Sequence, residues 1–513
     1  MDIASNAIST FMTPAQIEIE HLIELIDKKG NLREDGTKNV LEKYFDTFDW
    51  LLYGNGLQLK KRSRNFYLNG AAGTPVLKGP AINRKRFFFW DVNAENIREK
   101  LRPVSNIRAL TEILEVRCVH RIFSLLNKDR KTVVRLSAIE SRVMSGNRES
   151  ELRPMICLEP VKGYEKQFKR ICTTLKDLEL EELGSDCSFL DLALDAVGKS
   201  PHDYSSKFSL HLDKAVNVRK AVSDISLYLA TAMEKNFHGI VDDIDSEFLH
   251  DFRIAVRRTR SLLSQLKKTL PEKEFTHFQS EFKWLGSITG PVRDLDVYLL
   301  MKEEYRSMLP KELYAGLTEF FDDLEEKRKE RFAEMHKGLT SKRYISLMSE
   351  WKKFLIDEDY PWPGGNLSCF TVANDIIRKR FKRIIKSGGK ITNDSPDQDL
   401  HSLRIHGKKL RYLLEFFRPF YNQDDIDFFL KQLKKLQNNL GDFNDISVQL
   451  NMLSKCRDAL NGRNKRSIKI AASIGGLVAH LHDHHQQIRK KFESSFSGFA
   501  SPDNIERFTN TLQ

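Results

Sequence analysis

Cysteine is scarce in this chain. Its six cysteines stand at positions 118, 157, 172, 187, 369 and 456, where they form no CxxC pair and have no close cluster of histidines. This spacing predicts neither a zinc ribbon nor a disulfide framework. A reducing, cytosolic environment therefore fits the sequence best.

Long apolar runs are also absent. No uninterrupted run approaches the ~18 apolar residues that a membrane-spanning helix needs, and the segment from Met1 to Asn6 lacks the basic start of a signal peptide. The 513 residues are 40% hydrophobic and 30% charged, with a mean hydropathy of −0.45. This composition excludes membrane, disordered and fibrous proteins, and it predicts a cytoplasmic protein of roughly two to four folded domains.

Acidic residues are in deficit. The chain has 83 Lys and Arg against 71 Asp and Glu, a net charge of +12 and an isoelectric point near 9.2. Between Leu51 and Arg135 there are 18 basic and 6 acidic residues, and alternate positions such as Lys60, Arg62 and Arg64 would point one way from a strand. This pattern is typical of a polyanion-lining sheet face or of a heavily solvated one, and it makes a polyanion the expected class of partner.

The first 200 or so residues have the pattern of an α+β domain. Short apolar or β-branched runs separated by turn residues predict an antiparallel sheet. Helices are predicted at Ala94–Leu101 and Gly163–Leu178, and hairpin turns at Asn69-Gly70 and Asn127-Lys128-Asp129. The runs assigned to the sheet are Gln16–Ile26, Leu57–Leu68, Lys85–Val92, Ile113–Asn127, Thr132–Ala138 and Met155–Pro160.

From Leu212 onward the hydrophobic period changes to that of α-helices, and few strand signals remain. The second half is therefore predicted to be entirely helical. The boundary is placed in the turn-rich segment that runs from Gly198-Lys199-Ser200-Pro201 to Ser206. The predicted helical stretches include Ala215–Lys235, Phe248–Thr269, Lys311–Leu339, Val372–Lys386 and Ile426–Asn439.

The helical half contains an internal repeat. The motif that begins at His250 returns at His401, 151 residues later, and Gly290-Pro-Val-Arg-Asp294 returns as Gly441-Asp-Phe-Asn-Asp445 at the same offset. The basic and histidine positions of the motif are His250, Arg253, Arg257, Arg258 and Arg260 in the first copy, and His401, Arg404, Lys408, Lys409 and Arg411 in the second.

On an α-helix, most of these basic positions fall in one stripe. His250, Arg253, Arg257 and Arg260 lie within an arc of about 80°, apart from the apolar face that would pack in a core. Such a stripe can be the solvated side of an amphipathic helix. Two observations favour a shared anionic ligand instead: no acid interrupts positions 401–411, and both copies keep the same basic positions.

Other polar residues of the repeat have two interpretations. Each histidine is either a structural group or a ligand contact, and the two are weighed evenly. Asp294 and Asp445 are interpreted as orienting partners for Arg or His, because neither copy assembles a second carboxylate at fixed spacing for a metal or a general base.

Ser395-Pro396-Asp397-Gln398 predicts the start of the second motif helix, with Ser395 as N-cap. A further acid-free run, from Arg378 to Lys386, would extend the basic surface.

The repeated motif resembles the CHAD domain, the conserved-histidine α-helical domain, over about residues 212–499. In that family two four-helix halves, related by a pseudo-twofold axis, enclose a basic surface that binds inorganic polyphosphate, and the resemblance implies the same fold and partner here. The residues that it implies for polyphosphate binding are His250, Arg253, Arg257, Arg258, Arg260, His401, Arg404, Lys408, Lys409, Arg411, Arg378 and Lys382.

The first half resembles the CYTH, or triphosphate tunnel metalloenzyme, family over about residues 14–208. Tyr44-Phe45-Asp46-Thr47 and the segment Gly56–Arg62 support the resemblance, which implies a tunnel-like barrel. The family's E-x-E-x-K signature on the first strand is incomplete, because Glu18 and Glu20 are followed by Leu22 in place of the lysine.

Other acids of the CYTH pattern are also missing. Those of a middle strand are replaced within Arg86–Trp90, and those of the last strand are reduced to Glu159. Metal-assisted hydrolysis of a triphosphate needs several carboxylates, so the domain is predicted to be degenerate and non-catalytic. The resemblance implies that it grips phosphate through Lys60, Arg62, Arg117 and Arg135.

The sequence thus predicts a cytoplasmic, polyphosphate-binding protein that is associated with polyphosphate granules where these exist. It predicts no catalytic residue, no metal, no cofactor, no membrane partner and no particular oligomeric state. One alternative is a metal-dependent triphosphatase that acts through the first half. Another is a nucleic-acid binder, which the scarcity of aromatic residues near the basic stripe disfavours because bases would lack stacking platforms.

Overall fold

The computed structural model describes residues 8–14, 17–70, 75–184, 188–460, 462 and 464–512. Its packing divides the chain into two compact units between Ser205 and Ser206, within the segment predicted as the boundary. Cys187, Gln16 and the segment from Met1 to Asn6, which entered the predictions above, lie outside the described residues.

The first unit contains an antiparallel sheet, as the short apolar runs predict, and ten of its strands lie in the described residues. The strand order is β10-β1-β9-β8-β7-β2-β3-β4-β5, with β6 paired to β7. The strands are β1 (Ser9–Met12), β2 (Asn31–Asp46), β3 (Leu57–Arg62), β4 (Asn65–Gly70), β5 (Pro75–Pro80), β6 (Arg86–Phe87), β7 (Leu110–Leu126), β8 (Thr132–Ser145), β9 (Arg148–Pro160) and β10 (Glu181–Glu182).

The sheet is open, so the expected closed tunnel barrel is not formed by the described residues. Closure requires hydrogen bonds between the two edge strands, but β10 pairs only with β1 and β5 pairs only with β4. Five helices accompany the sheet: α1 (Ile19–Lys29), α2 (Leu51–Gly54), α3 (Glu95–Ser105), α4 (Glu165–Asp177) and α5 (Phe189–Ala196).

The strand predicted over Gln16–Ile26 is wrong, because the described part of this segment forms the start of α1. Its buried residues Ile19, Leu22 and Ile26 recur at intervals of three and four, which is the period of a helix. The helices predicted at Ala94–Leu101 and Gly163–Leu178 are confirmed as α3 and α4.

The turn predictions have mixed outcomes. Asn127-Lys128-Asp129 is confirmed as the connection between β7 and β8. Asn69-Gly70 instead forms the end of β4, paired with β3. The reversal between β3 and β4 lies at Ser63-Arg64, where Ser63 adopts a φ of 54°. The long strand β2 was missed because its first half is almost entirely polar and exposed.

Helices cover both faces of the sheet. α1 and α4 bury Leu22 and Leu175 against Phe123, whereas α5 buries Leu190 against Val116. Because Val116 and Phe123 stand an odd number of positions apart on one regular strand, their side chains point to opposite faces. Strand residues can therefore be assigned to a face from the register alone.

The second unit is built of α-helices, which confirms the predicted all-helical second half. Short 3₁₀ turns at Lys267–Thr269, Lys311–Leu313 and Arg418–Phe420 connect some of them. The helices are α6 (Val218–Val241), α7 (Ser246–Gln265), α8 (Glu272–Leu300), α9 (Lys302–Ser307), α10 (Tyr314–Leu339), α11 (Lys342–Ile356), α12 (Cys369–Gly388), α13 (Asp397–Phe416), α14 (Gln423–Asp458), α15 (Lys465–Lys490), α16 (Phe492–Phe499) and α17 (Pro502–Thr511).

The sequence repeat is confirmed as a structural repeat. Four helix pairs, α6 with α12, α7 with α13, α8 with α14, and α10 with α15, each begin 151 residues apart. The N-caps of the first pair, Asn217 and Ser368, form an isolated antiparallel bridge with each other. Equivalent residues of the two copies therefore meet, as they do around a pseudo-twofold axis.

The motif helices α7 and α13 are held by their apolar faces. Phe252 and Val256 on α7, and Leu403 and Leu414 on α13, are all buried. The start of α13 differs from the prediction: the helix begins at Asp397, after Pro396. The hydroxyl of Ser395 instead accepts a hydrogen bond from the backbone N–H of Thr392 at 2.9 Å.

Candidate anion-binding site

The packing of α7 against α13 brings the basic stripes of the two copies together. Arg257 of the first copy lies close enough to Arg404 and Lys408 of the second to lower the pKa of each. We call the resulting surface the central basic surface; it comprises Arg253, Arg257, Arg260, Arg404, Lys408 and Arg411.

Lys408 is the most perturbed cation of this surface. Burial, and then the charges of Arg404 and Arg257, lower its pKa to about 8, against the opposing effect of Asp445. Among the described residues, the Lys408 ammonium has no hydrogen-bond or ion-pair partner. A partly buried cation beside other cations is costly unless an anion compensates it.

Small residues on α8 make room for the arginines of the first copy. Nη1 of Arg253 donates to the Gly286 carbonyl and to Thr289 Oγ1, both at 3.0 Å. A Cβ atom at Gly286 would stand 3.2 Å from Nη1 of Arg260, and one at Gly290 would stand 3.4 Å from Nη1 of Arg253. The guanidinium groups thus lie directly against the helix backbone, and burial lowers the pKa of both arginines.

In the second copy, a chain of hydrogen bonds orients Arg404. His401 Nδ1 lies 2.7 Å from Asn444 Oδ1, Asn444 Nδ2 donates to Asp445 Oδ1 at 3.2 Å, and Nη2 of Arg404 donates to the same oxygen at 3.3 Å. These bonds hold His401 in place. His250 is half-buried at the equivalent position of α7. Asn444 stands at the repeat position of Arg293, and the sequence alone predicts no role for it.

Several donors of the central basic surface are left unpaired. The Nε atoms of Arg257, Arg260 and Arg404 are buried without a hydrogen-bond partner in the described part of the chain. Unpaired buried donors are unusual in native proteins because each costs its lost hydration. Three such atoms around one surface indicate an environment suited to an anionic ligand.

Two of the residues predicted to bind polyphosphate, Arg258 and Arg411, instead form ion pairs with the same acid, Glu415. Arg258 is only 9% exposed, and its Nη2 donates to Glu415 Oε2 at 2.7 Å. Glu415 also accepts a hydrogen bond from Nε of Arg411 at 2.6 Å. Arg258 thus joins α7 to α13 through an ion pair, whereas Arg411 stays partly exposed beside Lys408.

The remaining predicted residues lie away from the central basic surface. Arg378 and Lys382 are exposed on α12, and Nη2 of Arg378 donates to the backbone carbonyl of Leu512. Lys409 faces a different group, which sequence reasoning missed. We call this group the α12–α13 cluster; it comprises Arg380, Arg383, His406 and Lys409.

A helical projection of the basic run on α12 would have separated these groups. At 100° per residue, Arg380 and Arg383 fall within an arc of about 60°, on a different side of the helix from Arg378 and Lys382. Of these four residues, only Arg380 and Arg383 face α13.

Comparison with known proteins identifies this region. The family profile described as "CHAD domain" matches residues 228–454, which include both motif helices. Residues 228–454 form a CHAD domain. The expectation from the repeated motif is confirmed for this segment.

Known relatives match the chain over limited regions. Two curated Mycobacterium tuberculosis proteins, "Uncharacterized protein MT2285" (strain CDC 1551 / Oshkosh) and "Uncharacterized protein Rv2226" (strain ATCC 25618 / H37Rv), are each 24% identical to this chain over 204 residues. The match covers 39% of this chain and 38% of each relative, so the chain spans well under half the length of the curated relatives it matches.

Two solved structures are also similar. The CHAD domain from the plant Ricinus communis has 22% identity and a TM-score of 0.48, and the match covers 56% of this chain and 94% of that one. PptA from Streptomyces chartreusis has 14% identity and a TM-score of 0.44, with 55% and 99% covered.

Outside the CHAD domain, the four cations predicted for the sheet are not brought to one face. Lys60 contacts Glu42 at 3.1 Å, and Arg62 lies 4.0 Å from the same carboxylate. Arg117 projects from the opposite face, because its neighbour Val116 is paired in register with Glu42, and it contacts Glu115 at 2.9 Å.

The fourth of these cations, Arg135, is exposed on β8. It shares the face of Lys60 and Arg62 and stands opposite Glu159 in register. The sheet therefore places three of the four predicted cations on one face and supplies acids beside them.

The acids of the CYTH signature do not lie where that resemblance places them. Glu18 precedes α1, and Glu20 lies in its first turn, 3.3 Å from Arg121. The segment Arg86–Trp90 forms a two-residue strand followed by a 3₁₀ turn. The described residues contain no group of three or more side chains that could hold a metal ion, and no described helix is long and apolar enough to cross a membrane.

Proposed function

We propose that this protein binds inorganic polyphosphate through its CHAD domain, and that the central basic surface of both repeats forms the binding site. The observation that carries the proposal is the packing of α7 against α13, which brings the charge of Arg257 to act on Arg404 and Lys408. A ligand that reaches these three residues touches both copies at once. A linear polyanion has the length and charge density for such a contact.

Physical chemistry supports an anion of high charge density. Burial lowers the pKa values of Arg253, Arg404 and Lys408, so the folded protein holds their charges at a cost. Phosphate oxygens would offset that cost through charge-assisted hydrogen bonds, and arginine forks would fix their geometry. Release of counterions from the polyanion would add to the affinity and make it dependent on salt.

For the first unit, we propose a divergent CYTH-like domain that binds phosphate weakly and does not hydrolyse it. The antiparallel sheet and the face shared by Lys60, Arg62 and Arg135 support the relationship. Glu42, which neutralises two of these cations, argues for weak binding. The position of Glu18 and Glu20 at the start of α1 argues against a metal-dependent hydrolase. A cytoplasmic location at polyphosphate granules would follow from the proposed ligand.

The decisive experiment compares polyanions. The full-length protein is titrated with long-chain polyphosphate, RNA and DNA at matched phosphate concentration and at several salt concentrations. Polyphosphate is expected to bind more tightly than either nucleic acid, with an affinity whose logarithm falls linearly with the logarithm of salt concentration. Equal or tighter binding of RNA or DNA would replace the proposal with the nucleic-acid alternative.

A further inference from the structure

The α12–α13 cluster lies between two packed helices, apart from the central basic surface. Arg380 and Arg383 are one turn apart on α12, and His406 and Lys409 are one turn apart on α13. Nη1 of Arg380 donates to His406 Nδ1 at 3.2 Å, and Nη2 of Arg380 donates to the side-chain oxygen of Gln265. The amide nitrogen of Gln265 in turn donates to the Lys409 carbonyl at 3.3 Å.

No acid neutralises the cations of this cluster among the described residues. Arg380 bonds an imidazole and an amide, its Nε is buried and unpaired, and within the described ranges no carboxylate forms an ion pair with Arg380, Arg383 or Lys409. Burial and the neighbouring positive charges lower the pKa values of Arg380 and Lys409, with no acid opposing them. The central basic surface, in contrast, lies beside Asp294, which acts on Arg253, and Asp445, which acts on Arg404.

The histidine of the cluster, His406, is a neutral hydrogen-bond donor. Its Nδ1 accepts a hydrogen bond from Arg380 and therefore carries no proton, so the proton of the neutral ring is on Nε2. Burial, Arg383, Arg380 and Lys409 lower the pKa of His406 to about 4, which keeps the ring neutral near pH 7. The cluster therefore combines three cations with an N–H donor.

The cluster occurs in only one of the two repeats. The residues 151 positions earlier are Leu229, Ala232, Ala255 and Arg258, and Arg258 is paired with Glu415. A feature that the packing of the shared helical unit required would be present in both copies. Its restriction to the second copy indicates a function separate from the fold.

We propose that the α12–α13 cluster is a second binding site, specific for a phosphoanhydride-linked polyoxyanion of the pyrophosphate class. Arg380, Arg383 and Lys409 supply the charge, and Nε2–H of His406 supplies a hydrogen bond with direction. A linked anion with several charges matches three cations better than a single carboxylate does. The bound group is either free pyrophosphate or a phosphoryl unit of a longer chain.

The test uses calorimetry on the full-length protein with Arg257→Gln and Lys408→Gln, which disables the central basic surface. Pyrophosphate is titrated into this protein and into the same protein with Arg383→Gln or Lys386→Gln added. Both added substitutions remove one charge from an exposed residue, one turn apart on α12, so Lys386→Gln is a matched control. Arg383→Gln is expected to weaken binding about tenfold, and Lys386→Gln is expected to leave it unchanged.

A parallel titration with long-chain polyphosphate, in the protein with an intact central basic surface, separates the two sources of ligand. A loss specific to Arg383→Gln with pyrophosphate supports a free ligand, and a loss seen only with the long chain supports a phosphoryl unit of a polymer. Equal effects of Arg383→Gln and Lys386→Gln, or no effect of either with both ligands, would overturn the proposal. Failure of the polyphosphate proposal would appear separately, as binding that Arg257→Gln and Lys408→Gln do not change.

Discussion

Lys43 of the sheet and Lys408 of the CHAD domain are both partly buried, but their charges are compensated in opposite ways. On the sheet, Lys43 contacts Glu112 and Glu115 at 3.0 Å each, and these bonds outweigh burial and raise its pKa. In the CHAD domain, Lys408 contacts no acid in the described part of the chain, and burial lowers its pKa to about 8. The fold thus pairs Lys43 with two acids and gives Lys408 no such pair among the described residues.

This difference shows why a net charge is a poor guide to a site. The sequence between Leu51 and Arg135 carries the denser excess of basic residues, yet Lys60 and Arg62 share Glu42. An acid that neutralises a cation can lie on a neighbouring strand, far away in sequence. Burial without compensation is therefore the more informative signal.

The largest effect is expected from breaking the central basic surface across both copies. Arg257→Gln with Lys408→Gln should weaken binding of long-chain polyphosphate about a hundredfold, because two charge-assisted contacts are lost. Lys60→Gln with Arg62→Gln, which removes the same charge from the sheet, should weaken it less than about threefold. Affinity measurements on the two full-length variants check this.

A control at Lys273→Gln, an exposed residue of α8 outside the central basic surface, should bind as the unmodified protein does. The logarithmic salt slope should shrink by somewhat under one unit for each phosphate contact removed. Similar losses in all the variants would mean that diffuse positive charge binds the ligand, and the contrast between the two regions would disappear.

The next effect concerns stability. Glu415→Gln should lower the free energy of unfolding by about 2–3 kcal/mol, because Arg258 is then left buried without its ion-pair partner. Urea unfolding followed by circular dichroism of the helices measures the change. Arg142→Gln is the comparison on the sheet: its partners Glu149 and Glu151 are exposed, and no measurable change is expected. Equal changes would show that Arg258 is not part of the packed interface.

A smaller effect is expected in the pH dependence of stability. The pKa of Lys408 is about 8 in the folded protein, against an ordinary value of 10.5. Between these pH values the unfolded chain binds more protons, so the free energy of unfolding rises with pH. Lys408→Met should remove on the order of 1–2 kcal/mol of this rise. Unfolding at pH 7.5 and pH 10 measures it, with Lys273→Met as control; identical slopes in both variants would contradict the burial of Lys408.

Removal of the two acids at the start of α1 is expected to have no effect on phosphate release. With Mg²⁺ or Mn²⁺, the protein should release no phosphate from tripolyphosphate above background, and Glu18→Ala with Glu20→Ala should change nothing. A phosphate-release assay checks this. Metal-dependent turnover that disappears in this variant would restore the triphosphatase alternative for the first unit.

Local patterns in the sequence were sufficient for the helical unit. The helices and the burial of Phe252 and Leu403 follow from hydrophobic periodicity, which neighbouring residues determine. The offset of 151 residues follows from the recurrence of the motif. The same period occurs at Ile19, Leu22 and Ile26, which lie in α1, so the strand predicted over Gln16–Ile26 is wrong. The polar half of β2 has no such period, because its side chains remain mostly exposed.

The sequence by itself thus determined that two copies of a basic helix exist and which face of each is apolar. Only the tertiary structure decided which cations keep an uncompensated charge. Arg258 and Lys409 occupy equivalent positions of the motif, yet Glu415 neutralises the first, whereas Arg380 and Arg383 surround the second. The physical reason is that the energy of a charge depends on its burial and on its nearest charges, and chain folding brings those neighbours from distant parts of the sequence.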